Sequence, residues 1–423
     1  MRNTTMLVSL CLLVGLMTGC RTQSGTHTQK LHDAIGSHEL AEIVLHGVGG
    51  VTNSMDFIAW FCSGDTNGVK FLARCHEEAE HGNVNAQAYL GEVYYVYGRD
   101  VYDNYTLALK WNRKAAEQGN AHAQFRLGLM YARGRGLTRD HTEALEWYRK
   151  SAEQGYADGQ FALGCMYRDG HGVEKDNVQA LKWYLKAAEQ GDADAEYTLG
   201  NFYRDGRGVD KDHARAVEWY RKGAEHGDAH AQCALGDMYR DGKGVAKDYT
   251  QAVKWYREAV QQEYARGQAN LGWMYENGFG VDKDYSQAVE WYRKAAEQED
   301  EYSQFKLGYM HEQGHGVAKD QTVAVEWYRK AAEQGYADAQ HNLGWMYEKG
   351  LGVNKNYVQA VEWYRKGAEQ GNAHVQFHIG EMYEKGLGVT RDDAIAMEWY
   401  RKSAGQGFTD AKKALDRLSH KGK

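Results

Sequence analysis

A histidine pair in the C-terminal half of the sequence has the spacing of a zinc site. His311-Glu-Gln-Gly-His315 matches the H-E-x-x-H signature, in which two histidines on one continuous helical face hold a catalytic zinc ion. Gly314, however, occupies a position where a glycine recurs along the chain and where we expect a helix to end. His315 would then lie in a turn, so the sequence does not predict a zinc site here.

Two further motifs share only part of a catalytic or phosphate-binding signature. Ser303-Gln-Phe-Lys306 has the S-x-x-K spacing of an acyl-transfer nucleophile, but no S-D-N or K-T-G follows it. Glycine pairs such as Gly206-Arg-Gly208 follow no strand pattern and lack the spacing of a phosphate loop. We therefore expect no catalytic residue, no metal site and no cofactor, and the protein is predicted not to be an enzyme.

The first residues have the pattern of a processing signal. Arg2 precedes an apolar run, Met6 to Met17, that is too short to span a bilayer as a permanent helix. The run ends in Leu16-Met-Thr-Gly-Cys20, which looks like a bacterial lipobox and implies cleavage before Cys20 and lipidation of its thiol. An ordinary secretory signal with a chance cysteine is the alternative. Arg21, in place of an aspartate, favours the outer membrane over retention in the inner membrane.

A step of 36 residues runs through most of the chain. Tryptophans recur with this step from Trp111 to Trp399, and glycines recur with it from Gly128 to Gly380. A fixed step of this size indicates a solenoid, in which each repeat packs only on its neighbours.

Each repeat contains the start and stop signals of two helices. In the copy that begins near residue 121, we expect Gly128 to let a neighbouring helix approach, Gly134 to end the first helix in a left-handed conformation and Gly136 to loosen the turn. Asp140 is a predicted N-cap for the second helix, and Glu143 would complete a capping box.

The second helix of this copy is predicted to be amphipathic. Its core face consists of Ala144, Trp147, Tyr148 and Ala152. On the opposite face the spacing predicts two i,i+4 ion pairs, one between Glu146 and Lys150 and one between Arg149 and Glu153.

These residues carry a family resemblance. The pattern Ala-x-x-x-Leu-Gly-x-x-Tyr-x-x-Gly-x-Gly-Val-x-x-Asp, followed by Ala-x-x-Trp-Tyr-x-Lys-Ala-Ala-x-Gln-Gly, resembles the Sel1-like repeat, a relative of the tetratricopeptide repeat. The resemblance implies an all-α fold, a right-handed α/α superhelix (solenoid) of nine helix-turn-helix repeats with N- and C-terminal caps, which binds other proteins. The implied organisation is a lipoprotein signal peptide (1–19), the lipidated Cys20 with a polar tether (20–30), a degenerate cap or partial repeat (31–83), nine repeats (84–120, 121–156, 157–192, 193–228, 229–264, 265–300, 301–336, 337–372 and 373–408) and a capping helix with a basic tail (409–423).

Composition and cysteine usage limit the function. The net charge of -7 and the pI near 6.2 give no support for nucleic-acid binding, which usually requires a basic stripe. Cys62 and Cys75 can pair if the protein is exported, whereas Cys165 and Cys233, two repeats apart at roughly 20 Å, cannot. The chain thus differs from cysteine-rich Sel1-like proteins with one disulfide per repeat, and the penicillin-binding or β-lactamase activity of some of those is not expected here.

The positions that vary within the constant repeat are the candidate binding residues. In related superhelices the first helix lines the concave face, so the residue after each Leu-Gly pair would face a groove. This row includes Asp237, Trp273, Tyr309, Trp345 and Glu381, and the alternative is that its aromatic members fill gaps between helices. A second row, three residues further on, reads Arg168, Arg204 and Arg240, then Glu276, Glu312, Glu348 and Glu384. It would polarise the groove, unless these side chains pair with local charges.

Three hypotheses for function follow. The first is a lipid-anchored adaptor of the bacterial cell envelope that binds a protein or peptide in the groove, with a host protein such as an immunoglobulin as one possible ligand. The second is a hydrolase acting on peptidoglycan or β-lactams, which no group of residues supports. The third is a structural scaffold of an envelope assembly.

Overall fold

The structure, a computed structural model, describes residues 66–97 and 102–421, and every element in these ranges is an α-helix. The chain divides into two compact units, an N-terminal unit that ends at Lys211 and a C-terminal unit that begins at Asp212. The predicted signal peptide, Cys20, the tether and Cys62 lie outside the described residues.

Eight described helices belong to the N-terminal unit: α1 (Thr66–Glu80), α2 (Val84–Tyr97), α3 (Tyr102–Glu117), α4 (Ala121–Arg133), α5 (His141–Glu153), α6 (Ala157–Asp169), α7 (Asn177–Ala188) and α8 (Ala193–Asp205). Twelve belong to the C-terminal unit: α9 (His213–Glu225), α10 (Ala229–Asp241), α11 (Tyr249–Gln261), α12 (Ala265–Asn277), α13 (Tyr285–Ala296), α14 (Glu301–Gln313), α15 (Gln321–Glu333), α16 (Ala337–Lys349), α17 (Tyr357–Glu369), α18 (Ala373–Lys385), α19 (Asp393–Gly405) and α20 (Thr409–Lys421).

Within each unit the helices pack in sequence order. The first helix of a repeat contacts the second helix of the same repeat, and that second helix contacts the first helix of the next repeat. The all-α solenoid of helix pairs is therefore confirmed, while the right-handed sense of its twist stays a prediction. At the ends, α1 supplies a lone second helix and α20 a lone first helix, which buries Ala411, Ala414 and Leu418.

A tyrosine under a glycine holds the two helices of a repeat together. A Cβ atom added at Gly128 would lie 2.7 Å from the ring of Tyr148, so only glycine allows this approach. The prediction for Gly128 is confirmed, and the same contact recurs in both units, between Gly164 and Tyr184, Gly236 and Tyr256, Gly272 and Tyr292, Gly308 and Tyr328, Gly344 and Tyr364, and Gly380 and Tyr400.

The neighbouring tryptophan is less deeply buried than the tyrosine. Tyr148 is 4% exposed, whereas Trp147 is half-buried at the edge of the core. The ammonium group of Lys150 lies 4.1 Å from the centre of the Trp147 ring, a cation–π contact that covers the outer ring face. Trp147 thus belongs to the core face as predicted, but its outer side is shielded by a lysine rather than by another helix.

The predicted ion pairs on the second helix are wrong in their spacing. Lys150 lies over Trp147, and Arg149 instead bonds Glu146, three residues earlier, at 2.6 Å. A helical lysine three residues after a tryptophan can reach the ring, and in this repeat Lys150 makes that contact without the i,i+4 pair. In a later repeat Lys294 makes both contacts, with Glu290 at 3.2 Å and with the Trp291 ring.

The two glycines of the turn have different roles. Gly134 ends α4 in the left-handed conformation, with φ 66°, as predicted. Gly136 does not loosen the turn, because a Cβ there would lie 2.7 Å from the Tyr105 carbonyl oxygen at the start of the previous second helix. A Cβ atom added at Gly172 would likewise lie 2.4 Å from the His141 carbonyl oxygen. The second glycine therefore marks a tight contact between consecutive repeats.

The second helix begins at an aspartate cap, as predicted. Asp140 Oδ1 accepts hydrogen bonds from the backbone N–H groups of Thr142 and Glu143, at 2.9 and 3.1 Å. The return bond of a capping box is absent here, since the Asp140 N–H donates to the Tyr131 carbonyl oxygen at 3.0 Å. The cap thus ties the second helix back to the first.

Buried glutamines join three helices in most repeats, with Glu196 in place of the glutamine in the fourth. Gln124 Nε2 donates to the Ala116 carbonyl oxygen of the preceding second helix at 3.2 Å, and its Oε1 accepts from Gln154 at 2.6 Å. An amide bonded on both sides satisfies its buried polar atoms and sets the register of neighbouring repeats. None of the described helices is both long and apolar enough for a bilayer crossing.

Candidate partner-binding surface

First helices of consecutive repeats contact each other within a unit. The pairs α2 with α4, α4 with α6 and α10 with α12 touch, and among the described helices no neighbouring second helices do so to the same extent. In the C-terminal unit, Lys306 of α14 bonds Glu276 of α12 at 2.8 Å, and the rings of His378 and His341 lie 5.1 Å apart. Neighbouring first helices therefore share a face along which their side chains meet, while the concave position of that face stays a prediction.

The aromatic row, Trp273, Tyr309 and Trp345, lies on consecutive first helices of the C-terminal unit, and all three side chains are half-buried. Trp273 packs against the hydrophobic clusters of two consecutive repeats, with its ring 5.3 Å from that of Phe279. Trp345 likewise contacts two clusters. The rings therefore fill space between repeats and keep part of their surface in solvent, and their role in binding stays a prediction.

Asp237 is held by bonds within its own unit. Its carboxylate accepts from the hydroxyl of Tyr256 at 2.8 Å, from Arg266 at 2.6 Å and from Asn270 at 3.2 Å. Arg240 lies 3.1 Å away. These contacts leave Asp237 17% exposed, so it acts first as a connection between α10, α11 and α12.

Glu381 is also paired locally. It bonds Lys385 at 2.6 Å and lies 3.4 Å from the His378 imidazole. These two groups, His378 first, lower the pKa of Glu381 to about 2 although partial burial opposes them. Glu381 is therefore an anion throughout the neutral range.

The basic members of the charged row each contact an adjacent aspartate. Arg168 bonds Asp169 at 2.7 Å, Arg204 bonds Asp205 at 2.7 Å, and Arg240 bonds Asp241 at 2.8 Å. The local pairing that the sequence left as the alternative is present at all three positions. Because each pair is close to neutral, the row offers a partner less positive charge than the sequence suggests.

The acidic members of the row accept hydrogen bonds from the buried tyrosines, which sequence reasoning missed. Tyr292 Oη donates to Glu276 at 2.6 Å, and the same bond links Tyr328 to Glu312, Tyr364 to Glu348 and Tyr400 to Glu384. In sequence, the signal is a glutamate sixteen residues before the constant tyrosine. These glutamates are therefore part of the structure of the repeat.

The zinc-like and cysteine motifs adopt structural roles. His311 lies in α14, which ends at Gln313 before the left-handed Gly314, as predicted. His315 lies in the turn and stacks on Tyr285 with ring centres 4.5 Å apart. Among the described residues no group of three potential ligands has the geometry of a metal site. The thiols of Cys75, Cys165 and Cys233 are free, and burial raises the pKa of Cys75 to about 12.

This architecture defines a class, the all-α proteins built from a repeated helix pair. The Sel1 repeat matches nine consecutive stretches of the chain: 84–120, 121–156, 157–192, 193–228, 229–264, 265–300, 301–336, 337–372 and 373–408. The chain therefore belongs to the Sel1 repeat proteins, which are in general protein-interaction scaffolds.

Solved structures agree with this assignment. A protective antigen of uropathogenic Escherichia coli, c5321, which has the same repeat fold, is 37% identical with a TM-score of 0.63, and the match covers 83% of each chain. A Sel1 repeat protein from Oxalobacter formigenes is 34% identical with a TM-score of 0.60, over 73% of this chain and 90% of the other. The search among curated proteins gave no match.

Proposed function

We propose that the protein is a non-enzymatic adaptor of the bacterial cell envelope, which binds a protein or peptide partner along its first-helix face. The observation that carries this proposal is the aromatic row, three half-buried rings on consecutive first helices of the C-terminal unit. Large aromatic side chains at the centre of a surface are the usual anchors of protein interfaces. The scaffolding role of Sel1 repeat proteins supports the same reading.

The test begins with crosslinking in the source cells and mass spectrometry, followed by binding measurements with the purified partner. Replacing Trp273, Tyr309 and Trp345 by alanine should weaken binding by more than about tenfold at unchanged helicity. Trp291→Ala is the matched control, because Trp291 is a half-buried aromatic residue of a second helix. Undiminished affinity in the triple variant removes the aromatic row from the binding surface.

The envelope location rests on the sequence around Cys20, and the anchor is tested separately. Cys20→Ser should move the protein from the membrane fraction to the soluble fraction, because a thioether-linked lipid cannot form. A variant that stays in the membrane fraction contradicts lipidation at this residue. The orientation towards the outer membrane is tested by fractionation of the unaltered protein.

A second candidate is a surface lipoprotein that binds a host protein such as an immunoglobulin. The observation that favours it is the similarity to the E. coli protein described as a protective antigen. Binding of the purified chain to immobilised immunoglobulin tests this candidate. Co-purification with envelope proteins at fixed stoichiometry, without a soluble ligand, would instead favour a structural scaffold.

A further inference from the structure

An arginine-rich cleft lies in the N-terminal unit, apart from the aromatic row. It has a volume of about 790 Å³ and is formed by α2, α4, α5 and α6 together with the turns that follow α4 and α6. Its apolar lining is provided by Val96, Phe125, Leu129, Phe161 and Met166. A cavity of this size accommodates several side chains of a bound segment.

Four arginines, Arg126, Arg133, Arg135 and Arg139, line the cleft. Arg126 pairs with Glu92, which is 4% exposed, and its NH2 group donates to Oε1 at 2.6 Å. The charge of Arg126 is thus compensated within the protein, and Arg126 serves as part of the wall.

The other three arginines have neutral acceptors. Arg133 and Arg135 donate to the hydroxyl of Tyr95, at 3.4 and 2.9 Å, and Arg139 donates to the His141 imidazole at 3.0 Å. The part of the lining that the structure describes includes no aspartate or glutamate. Three guanidinium charges therefore face the same cleft without a carboxylate from its described walls.

The repeat itself does not require this arrangement. Where this copy has Ala132 and Arg133, the next copies have an arginine followed by an aspartate, and in the first of them Arg168 bonds Asp169 at 2.7 Å. In the second copy Ala132 takes the place of that arginine and Arg133 takes the place of the neutralising aspartate. The local pairing that makes the equivalent positions of those three copies nearly neutral is thus absent from this copy.

We infer that this cleft binds an extended segment of a protein partner in which acidic side chains flank apolar ones. Guanidinium groups bind carboxylates through two parallel hydrogen bonds, and the apolar lining accepts the intervening side chains. Charge complementarity selects this partner, because the cleft is basic while the chain as a whole carries a charge of -7. The cleft belongs to the N-terminal unit and the aromatic row to the C-terminal unit, so binding in the cleft does not require the aromatic row.

The test uses the full-length protein and fluorescence anisotropy of a fluorescein-labelled peptide of alternating glutamate and leucine. Two companion peptides replace glutamate by lysine or leucine by serine. We expect the glutamate–leucine peptide to bind most tightly, with an affinity that falls as salt is raised. Equal binding of the lysine peptide would overturn the charge argument, and equal binding of the serine peptide would overturn the role of the apolar lining.

The decisive variant is Arg133→Asp with Arg135→Leu, since other repeats have Asp169 and Leu351 at these positions and tolerate them. It should bind the peptide at least about tenfold more weakly, as expected for the loss of a charge-assisted hydrogen bond. The matched control, Arg149→Leu, removes a charge on a second helix outside the cleft, where another repeat has Leu185. It should bind as the unaltered chain does.

Three outcomes would overturn the proposal. These are unchanged affinity in the double variant, an equal loss in the control, and tighter binding of a single-stranded oligonucleotide than of the acidic peptide. None of them bears on the aromatic row, whose test uses the crosslinked partner. Failure of this inference and failure of the proposed function are therefore distinguishable.

Discussion

Substitution of a single buried glycine tests how the two helices of a repeat are joined. In Gly236→Ala the new Cβ atom would lie 2.6 and 2.8 Å from two ring carbons of Tyr256. Carbon atoms in contact normally lie about 3.5–4.0 Å apart, so either α10 or the ring must move by roughly 1 Å. The ring has little freedom, because Tyr256 is 0% exposed and its hydroxyl bonds Asp237 at 2.8 Å.

Two opposing terms set the magnitude. Alanine is favoured over glycine inside a helix by about 1 kcal/mol. Overpacking a rigid core costs about 1–3 kcal/mol, and the upper end applies because the clash is with an anchored ring. We expect a net loss of about 1–2 kcal/mol. Gly272→Ala should lose less stability, since its new Cβ atom would lie farther from the ring, at 2.9 and 3.0 Å from the nearest atoms of Tyr292.

Hydrogen exchange of the backbone amides of α10 and α11 measures this loss, because repeats open in local groups. Gly405→Ala is the control: Gly405 is helical and a Cβ there meets no atom within 4 Å, so stability in α19 should rise by up to about 1 kcal/mol. The explanation by tyrosine contact is wrong if the amides of Gly236→Ala are as well protected as those of the unaltered chain. It is also wrong if Gly272→Ala loses more stability than Gly236→Ala does.

Three further predictions concern the cap, the turn and pH. Asp284→Ala should destabilise α13 by about 1 kcal/mol, since Asp284 accepts from two backbone N–H groups, whereas asparagine should retain most of the stability; denaturant midpoints distinguish the two. Gly280→Ala should cost more stability than Gly407→Ala in thermal unfolding. Both glycines have positive φ, but a Cβ atom added at Gly280 would lie 2.4 Å from the Tyr249 carbonyl oxygen, whereas one added at Gly407 would meet no atom within 4 Å. Burial lowers the pKa of His341 from 6.5 to about 4, so the unfolded chain binds more protons in this interval and stability should fall as pH drops through it. His341→Phe should reduce that fall, and a pH dependence identical to that of the unaltered chain would contradict the assignment.

Local signals in the sequence were sufficient to predict where helices begin and end. Gly134 ends a helix because its left-handed conformation suits glycine, and Asp140 begins one because its carboxylate accepts from nearby backbone groups. Such effects involve residues within a few positions of each other. Repetition of the same signals nine times then predicted the stacking, since a lone helix pair cannot bury its apolar face.

Local sequence signals could not predict the polar contacts of the candidate surface. Arg168 and Glu276 occupy equivalent positions, yet one bonds an adjacent aspartate and the other a buried tyrosine. Sequence reasoning also missed the cleft, although the sequence shows Arg133 at the position where the next three copies have an aspartate. Its meaning depends on which side chains of two other repeats surround it.

By itself the sequence determined the number of repeats, their helix boundaries and the glycines at which helices meet, because these follow from backbone geometry and periodicity. Only the tertiary structure decided that the tyrosine rather than the tryptophan lies deepest, that Gly136 touches the preceding repeat, and which charges remain uncompensated in a cleft. The reason is physical: burial and charge pairing depend on side chains that different helices bring together, and their distances are set by helix packing.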